Sequence, residues 1–170
     1  MKRIFADARL CLTCRSCELA CAVERGSLGK RLSTAVDEDP VPRPRVSVIS
    51  FGERGLAVHC RHCQDAPCLE ACPSGALWRE PEEGLVLHRE DRCLGCWMCV
   101  MTCPFGAVVP LGDRGISQKC DQCYGREYPA CVDACPTGAL LLSEPDEFEV
   151  LIQKRRAEYP EGTEGWRCWF

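Results

Sequence analysis

Sixteen of the seventeen cysteines in this 170-residue chain fall into four quartets, and nothing else in the sequence constrains its fold as tightly. Cys11, Cys14, Cys17 and Cys21 are separated by two, two and three residues; Cys60, Cys63, Cys68 and Cys72 by two, four and three. Cys93, Cys96, Cys99 and Cys103 repeat two, two and three, and Cys120, Cys123, Cys131 and Cys135 follow two, seven and three. A repeat of this kind is the first thing to read in a sequence, because each unit predicts the same local structure. Three quartets end in a shared phrase, CPSGAL at Cys72, CPFGAV at Cys103 and CPTGAL at Cys135, whereas Cys21 is followed by Ala22. Proline fixes φ and removes a donor, and the glycine two places on supplies the positive φ of a tight turn.

The third quartet, CLGCWMCVMTCP, has the spacing of bacterial [4Fe–4S] ligation, in which the fourth cysteine serves the other cluster of a pair. Two residues between thiolates let a loop wrap one corner of an iron–sulfur cube while backbone N–H groups turn toward its sulfides. Structural zinc is the competitor, since it also takes four cysteines, but its CxxC knuckles stand a dozen or more residues apart. Soft thiolates at this density favour iron–sulfur clusters. The stretched second gaps, QDAP and YGREYPA, leave zinc or a three-iron cluster as the alternative at quartets two and four. Complete quartets favour four [4Fe–4S] clusters.

The hydrophobic fraction of 46% counts those cysteines, so the aliphatic core is small and the clusters are expected to hold the fold together. The opening MKRIFADARL has no apolar stretch of secretory length before the first cysteine, which predicts a reducing, cytoplasmic setting. No window approaches the roughly 20 apolar residues of a membrane span, so direct membrane insertion is not expected. The net charge of −4 falls to roughly −12 once four clusters of about 2− are counted, which argues against nucleic acid. No phosphate-binding glycine loop or nucleotide fingerprint is present, and the chain is not expected to be an enzyme by itself.

The cysteine pattern runs through residues 1–26, 46–114 and 115–142, leaving an insert at 27–45 and a tail at 143–170. The segment LWREPEEGLVLHREDRC predicts a hairpin turning at Pro81 to Gly84, and a second is expected from Val46 to Val58, turning at Phe51 to Gly55. Helices are expected to be mostly single turns beside the clusters. The insert, with DEDPVPRPR, is either a surface that meets a partner or a plain connector. Ser143 is placed to cap a helix with Glu144, Asp146 and Glu147 in its first turn, Lys154, Arg155 and Arg156 in its last, and Phe148, Leu151 and Ile152 on its apolar face. The end, WRCWF, suggests docking on the chain's own core or on a partner.

Several residues beside the cysteines invite a role. Trp97 and Met98 are placed to shield the third cluster. Lys119 and Arg92, each directly before a cysteine, are either favourable charges for a reduced cluster or ordinary surface charges. His59 and His62 flank Cys60, where complete quartets leave them supporting or surface positions, and His88 reads as a strand residue. Cys168 stands alone and reads as a free thiol near a docking surface.

The quartet pattern resembles the four-cluster ferredoxin-like subunits of dimethyl sulfoxide reductase, formate dehydrogenase and hydrogenase complexes. HCRHCQDAPCLEAC, RCLGCWMCVMTCPFGA and KCDQCYGREYPACVDACPTGAL are most similar to the small iron–sulfur protein associated with carbon monoxide dehydrogenase and to the small subunit of tungsten aldehyde oxidoreductases. The resemblance covers residues 1 to 142. It implies an α+β fold of two interleaved 2[4Fe–4S] ferredoxin-like modules, stabilised by their clusters, with short hairpins and helices. It further implies that quartets pair first with fourth, in a module of residues 1–26 and 115–142, and second with third, in a module of residues 46–114, exchanging their last cysteines. Cluster 1 would take Cys11, Cys14, Cys17 and Cys135, and cluster 4 Cys120, Cys123, Cys131 and Cys21. Cluster 2 would take Cys60, Cys63, Cys68 and Cys103, and cluster 3 Cys93, Cys96, Cys99 and Cys72, in the spatial order one, four, two, three. The expected function is electron transfer in an anaerobic oxidoreductase complex, between a large catalytic nickel, tungsten or molybdenum subunit and a flavoprotein, ferredoxin or hydrogenase. The alternatives are an assembly protein for a hydrogenase or formate dehydrogenase, and a redox sensor built on Cys168.

Overall fold

The computed structural model describes residues 1–52 and 54–158; WRCWF and Cys168 lie outside the described residues. The described strands pair two by two in antiparallel ribbons. β1 (Arg3–Ala6) pairs with β8 (Leu140–Ser143), in register Arg3 with Ser143 and Ala6 with Leu140. β2 (Ser47–Phe51) and β3 (Arg54–Val58) form the first hairpin, with Phe51 opposite Arg54. β4 (Leu77–Arg79) and β5 (Val86–His88) form the second, and β6 (Val108–Leu111) and β7 (Ile116–Lys119) a third. The two hairpins anticipated in the sequence are present; the first turns more tightly than the expected Phe51 to Gly55, since Phe51 already pairs with Arg54 and Ser50 with Gly55. In the second, the buried Glu80 carboxylate accepts the N–H groups of Glu82 and Glu83 at 2.9 and 2.6 Å and so shapes the turn from inside.

The helices follow the quartets. α1 (Ser16–Arg25) is ten residues long, and α2 (Leu32–Ala35) is a single turn within the insert. α3 (Pro67–Glu70), α4 (Met98–Thr102) and α5 (Ala130–Asp133) are equally brief. α1, α3, α4 and α5 each carry the third cysteine of a quartet, and Cys17, Cys68, Cys99 and Cys131 are all buried there. α1 packs on α5, and α3 on α4. Buried Cys17, Cys21 and Cys131 share a core with Ile4, Val48 and Leu140; Cys68 and Cys99 share another with Leu77, Val86 and Val108.

α6 (Pro145–Glu158) begins one residue later than a Ser143 cap would place it. The Ser143 hydroxyl donates to the Glu147 carboxylate, which also accepts the Glu144 N–H at 3.3 Å; the cap is therefore the Glu147 side chain reaching back, with Pro145 in the first helical position. Phe148, Leu151 and Ile152 are half-buried, as expected of the inner face. Arg155 joins them, donating to Asp7 at 3.2 Å. Among the described residues no helix is long and apolar enough to cross a membrane.

Candidate iron–sulfur centres

The four quartets fold into the same backbone shape. The residue before the second cysteine is left-handed in each: Thr13 (φ 55°), His62 (48°), Gly95 (65°) and Gln122 (56°). In the two quartets of two-two-three spacing the residue after the second cysteine is left-handed too, Arg15 at 59° and Trp97 at 61°. Such conformations cost on the order of 1 kcal/mol or more for a non-glycine residue and persist where a site requires them. Gly95 has no alternative, since a Cβ there would stand 2.3 Å from the Gly115 carbonyl oxygen.

These bends aim N–H groups at sulfur. His62 donates to Cys60 Sγ at 3.4 Å, and Gln122 to Cys120 Sγ at 3.3 Å. Beyond the proline turns, Leu77, Ala107 and Leu140 donate to Cys72, Cys103 and Cys135 at 3.5, 3.4 and 3.5 Å. Cys21, which lacks the proline phrase, receives its N–H from Arg45 at 3.2 Å. The end of the insert thus supplies the donor that the CPxGA turn supplies elsewhere.

Three cavities are each lined by four thiols. One holds Cys11, Cys14, Cys17 and Cys135, covered by Val48 and Ala57 of the first hairpin. The next holds Cys60, Cys63, Cys68 and Cys103. The third holds Cys72, Cys93, Cys96 and Cys99, with Leu94 and Trp97 on its wall. The remaining four, Cys21, Cys120, Cys123 and Cys131, are buried together: burial pushes the Cys131 thiol up, and the nearby thiols of Cys120, Cys21 and Cys123 push it further. Among the described residues no three His, Cys, Asp or Glu side chains are drawn together as ligands of one small ion are. The thiols instead surround shared spaces, four at a time.

The electrostatics fit an anionic iron–sulfur cage. Burial, then neighbouring thiols and carboxylates, raise Cys17 and Cys68 to about 11, and Cys120 goes to about 12. Thiols packed this closely ionise together only around a bound cation such as iron, and ligation would release their protons. Backbone N–H donors at sulfur then stabilise the thiolates. Cys14 and Cys96 are the exposed members, one in each of two different cavities. Cys17 and Cys131 share one core, Cys60 and Cys120 another, and Cys68 and Cys99 a third, so shared cores link quartet one with four, four with two, and two with three.

The supporting residues are deeper than sequence reasoning placed them. His59 is buried and donates Nε2–H to the Ile4 carbonyl at 2.9 Å, tying quartet two to β1. His62 is buried as well; Nδ1 accepts the Val86 N–H at 3.1 Å, and burial drives its pKa down to about 2, leaving a neutral ring with the proton on Nε2. Lys119 is not a surface charge: it is 3% exposed and donates to the carbonyls of Val86 and Cys120. Arg92 is exposed, and Met98 is 48% exposed, so of the two expected shields only Trp97 lines the cavity. His88 is in β5, near Ser117 on the third cavity's wall. Sequence reasoning missed Arg79, whose guanidinium donates to the carbonyls of Cys63 and Gln64 at 2.9 and 2.6 Å and so braces the second loop.

Residues 55–145 match the 4Fe-4S dicluster domain family. The chain belongs to that family. An iron-sulfur protein of Rhodospirillum rubrum is 37% identical to this chain over 170 residues, spanning 91% of the chain and 88% of the relative. The electron transport protein HydN of Escherichia coli (strain K12) is 37% identical over 169 residues, spanning 90% and 94%. The probable anaerobic dimethyl sulfoxide reductase chain YnfG of the same organism is 37% identical over 153 residues, spanning 85% and 74%. The [4Fe–4S] cofactor and the mixed α+β fold expected of the sequence are those of this family. A dicluster domain accounts for two clusters, and sixteen cysteines are enough for four.

Proposed function

We propose that this chain is an electron-transfer subunit that relays single electrons through four [4Fe–4S] clusters, between a large catalytic metalloenzyme subunit and a second redox partner. The order in which shared cores link the quartets, with exposed Cys14 at one end and exposed Cys96 at the other, carries this reading. Bound clusters supply one-electron centres whose potentials respond to hydrogen bonds, charge and exposure. The polypeptide's part is to hold them in line and to tune them through N–H groups at sulfur. Relatives named for electron transport and for a reductase chain support the same assignment.

The ligand sets are Cys11, Cys14, Cys17 and Cys135; Cys120, Cys123, Cys131 and Cys21; Cys60, Cys63, Cys68 and Cys103; and Cys93, Cys96, Cys99 and Cys72. The modules are residues 1–26 with 115–142, and residues 46–114, with the hairpin at 46–58 lying over the first quartet. The Cys96 end, with Leu94 72% and Met101 82% exposed, faces the second partner, a flavoprotein, ferredoxin or hydrogenase. The Cys14 end faces the catalytic subunit, a nickel, tungsten or molybdenum enzyme such as carbon monoxide dehydrogenase or an aldehyde or formate oxidoreductase. The protein works in the cytoplasm and has no turnover of its own.

Anaerobic purification from the native cells should bring down a large metalloenzyme in fixed ratio, and that enzyme's substrate should bleach the visible absorbance of this chain. Iron and acid-labile sulfide should each reach about sixteen per chain. About eight irons with stoichiometric zinc, or bleaching that persists when the large subunit is removed, would sink the assignment.

A further inference from the structure

We propose that Lys119 is the shared counter-charge of the two inner clusters, raising the potentials of both at once. The proposal rests on the ligand sets given above. Lys119 ends β7, directly before Cys120, and is 3% exposed. Among the described residues its ammonium meets two neutral oxygens, the carbonyls of Val86 and Cys120. Glu90 and Asp121 line the same cleft but are already engaged. Asp121 pairs with Arg25 at 3.3 Å and Arg45 at 3.1 Å, and Glu90 with Arg45 at 3.7 Å and Arg114 at 2.7 Å.

A buried ammonium held by carbonyls alone is unfavourable unless an anion compensates it. The thiols supply that anion. Its ammonium bridges the carbonyl of Val86, which lines the cavity of Cys60, Cys63, Cys68 and Cys103, and the carbonyl of Cys120, and its positive charge favours the thiolates of both Cys68 and Cys120, one cysteine from each of two quartets. Those quartets meet where Cys60 and Cys120 pack against Ala107. Once both sets are ligated as thiolates, one fixed cation lies between two anionic cages. It favours an added electron on either cage, and it offsets the repulsion that a reduced cage exerts on its neighbour. The same side chain clamps β5 to the Cys120 loop, since Val86 also gives its N–H to His62.

The test separates charge from clamp. Lys119→Gln loses the charge and keeps an N–H donor on a shorter side chain; Lys119→Arg keeps the charge and the reach. Midpoint potentials of the anaerobically purified chain are read by EPR-monitored titration, with iron per chain measured alongside. The expected result is that two couples shift to more negative potential in Lys119→Gln, the other two stay, and Lys119→Arg remains close to wild type. If Lys119→Gln takes up no iron while Lys119→Arg fills normally, Lys119→Met, which has nearly the length of lysine and no charge, takes its place: the same two couples shifted in an iron-replete Lys119→Met chain support the proposal, and four unmoved couples overturn it. Four unmoved couples in an iron-replete Lys119→Gln chain overturn it, as does equal failure of both variants, which would make the residue a clamp alone. A wild-type chain well short of about sixteen irons instead overturns the four-cluster reading, whatever either variant does.

Discussion

The ring of Phe148 lies flat on that of Phe5, with centroids 4.2 Å apart and planes 11° from parallel. Phe5 is in β1 and Phe148 in the first turns of α6, so this contact fastens the last described helix to the first strand. Phe148→Ala is expected to lower stability by about 2 kcal/mol, since a half-buried aromatic loses both packing and stacking. Thermal unfolding should show a melting point about 5 °C lower, with iron content unchanged. A double-mutant cycle with Phe5→Ala should return a coupling of about 1 kcal/mol; simple additivity would mean that the helix is held elsewhere.

Cys103 lines the cavity of Cys60, Cys63 and Cys68, and Cys72 that of Cys93, Cys96 and Cys99. Replacing Cys103 by Ala should therefore disturb the cluster of quartet two, and Cys72→Ala the cluster of quartet three, each removing up to about four irons per chain. EPR of the reduced variants distinguishes the two losses. If each substitution instead removes the cluster of its own quartet, the exchange of last ligands is wrong.

Asp7 is buried, and burial alone would raise its pKa; hydrogen bonds from Arg9 and Arg155 override that and hold it below the usual carboxylate range. A depressed folded-state pKa means that the ionised group stabilises the fold above its unfolded value near ~3.9, and that this contribution is lost as pH falls through the lower folded value. Asp7→Asn should thus cost roughly 2 kcal/mol at pH 7. Paired denaturation curves taken at falling pH should show the gap between the two chains closing below about pH 4. A gap that does not change with pH would show that Asp7 acts through shape.

The sequence disclosed what depends on local rules. The hairpins turning within Phe51 to Gly55 and at Pro81 to Gly84 were readable because glycine and proline punctuate them, and α6 because its charges suit a helix dipole. The left-handed glycines after the proline turns, Gly75, Gly106 and Gly138, were equally legible. Burial of charge was not. Lys119 closes a strand, ISQK, in which every residue is buried, and no alternation in the sequence announces it. Ser143 looked like a cap, yet Glu147 does the capping because β8 runs through Ser143 and leaves its hydroxyl to donate. Arg45 could not be matched to Cys21 from sequence, since the two are 24 residues apart and the contact is a backbone one.

The pairing of β1 with β8 has a consequence for the order of manufacture. Arg3 leaves the ribosome early, but its strand partner Ser143 appears only when nearly all the described chain has been made. The loops around Cys60 to Cys103 lie close together in sequence and are all out by then. On the proposed ligand sets, the thiols between Cys60 and Cys103 are complete first, while Cys11, Cys14 and Cys17 wait for Cys135 to be synthesised. The site at the amino end is then the last that can be completed.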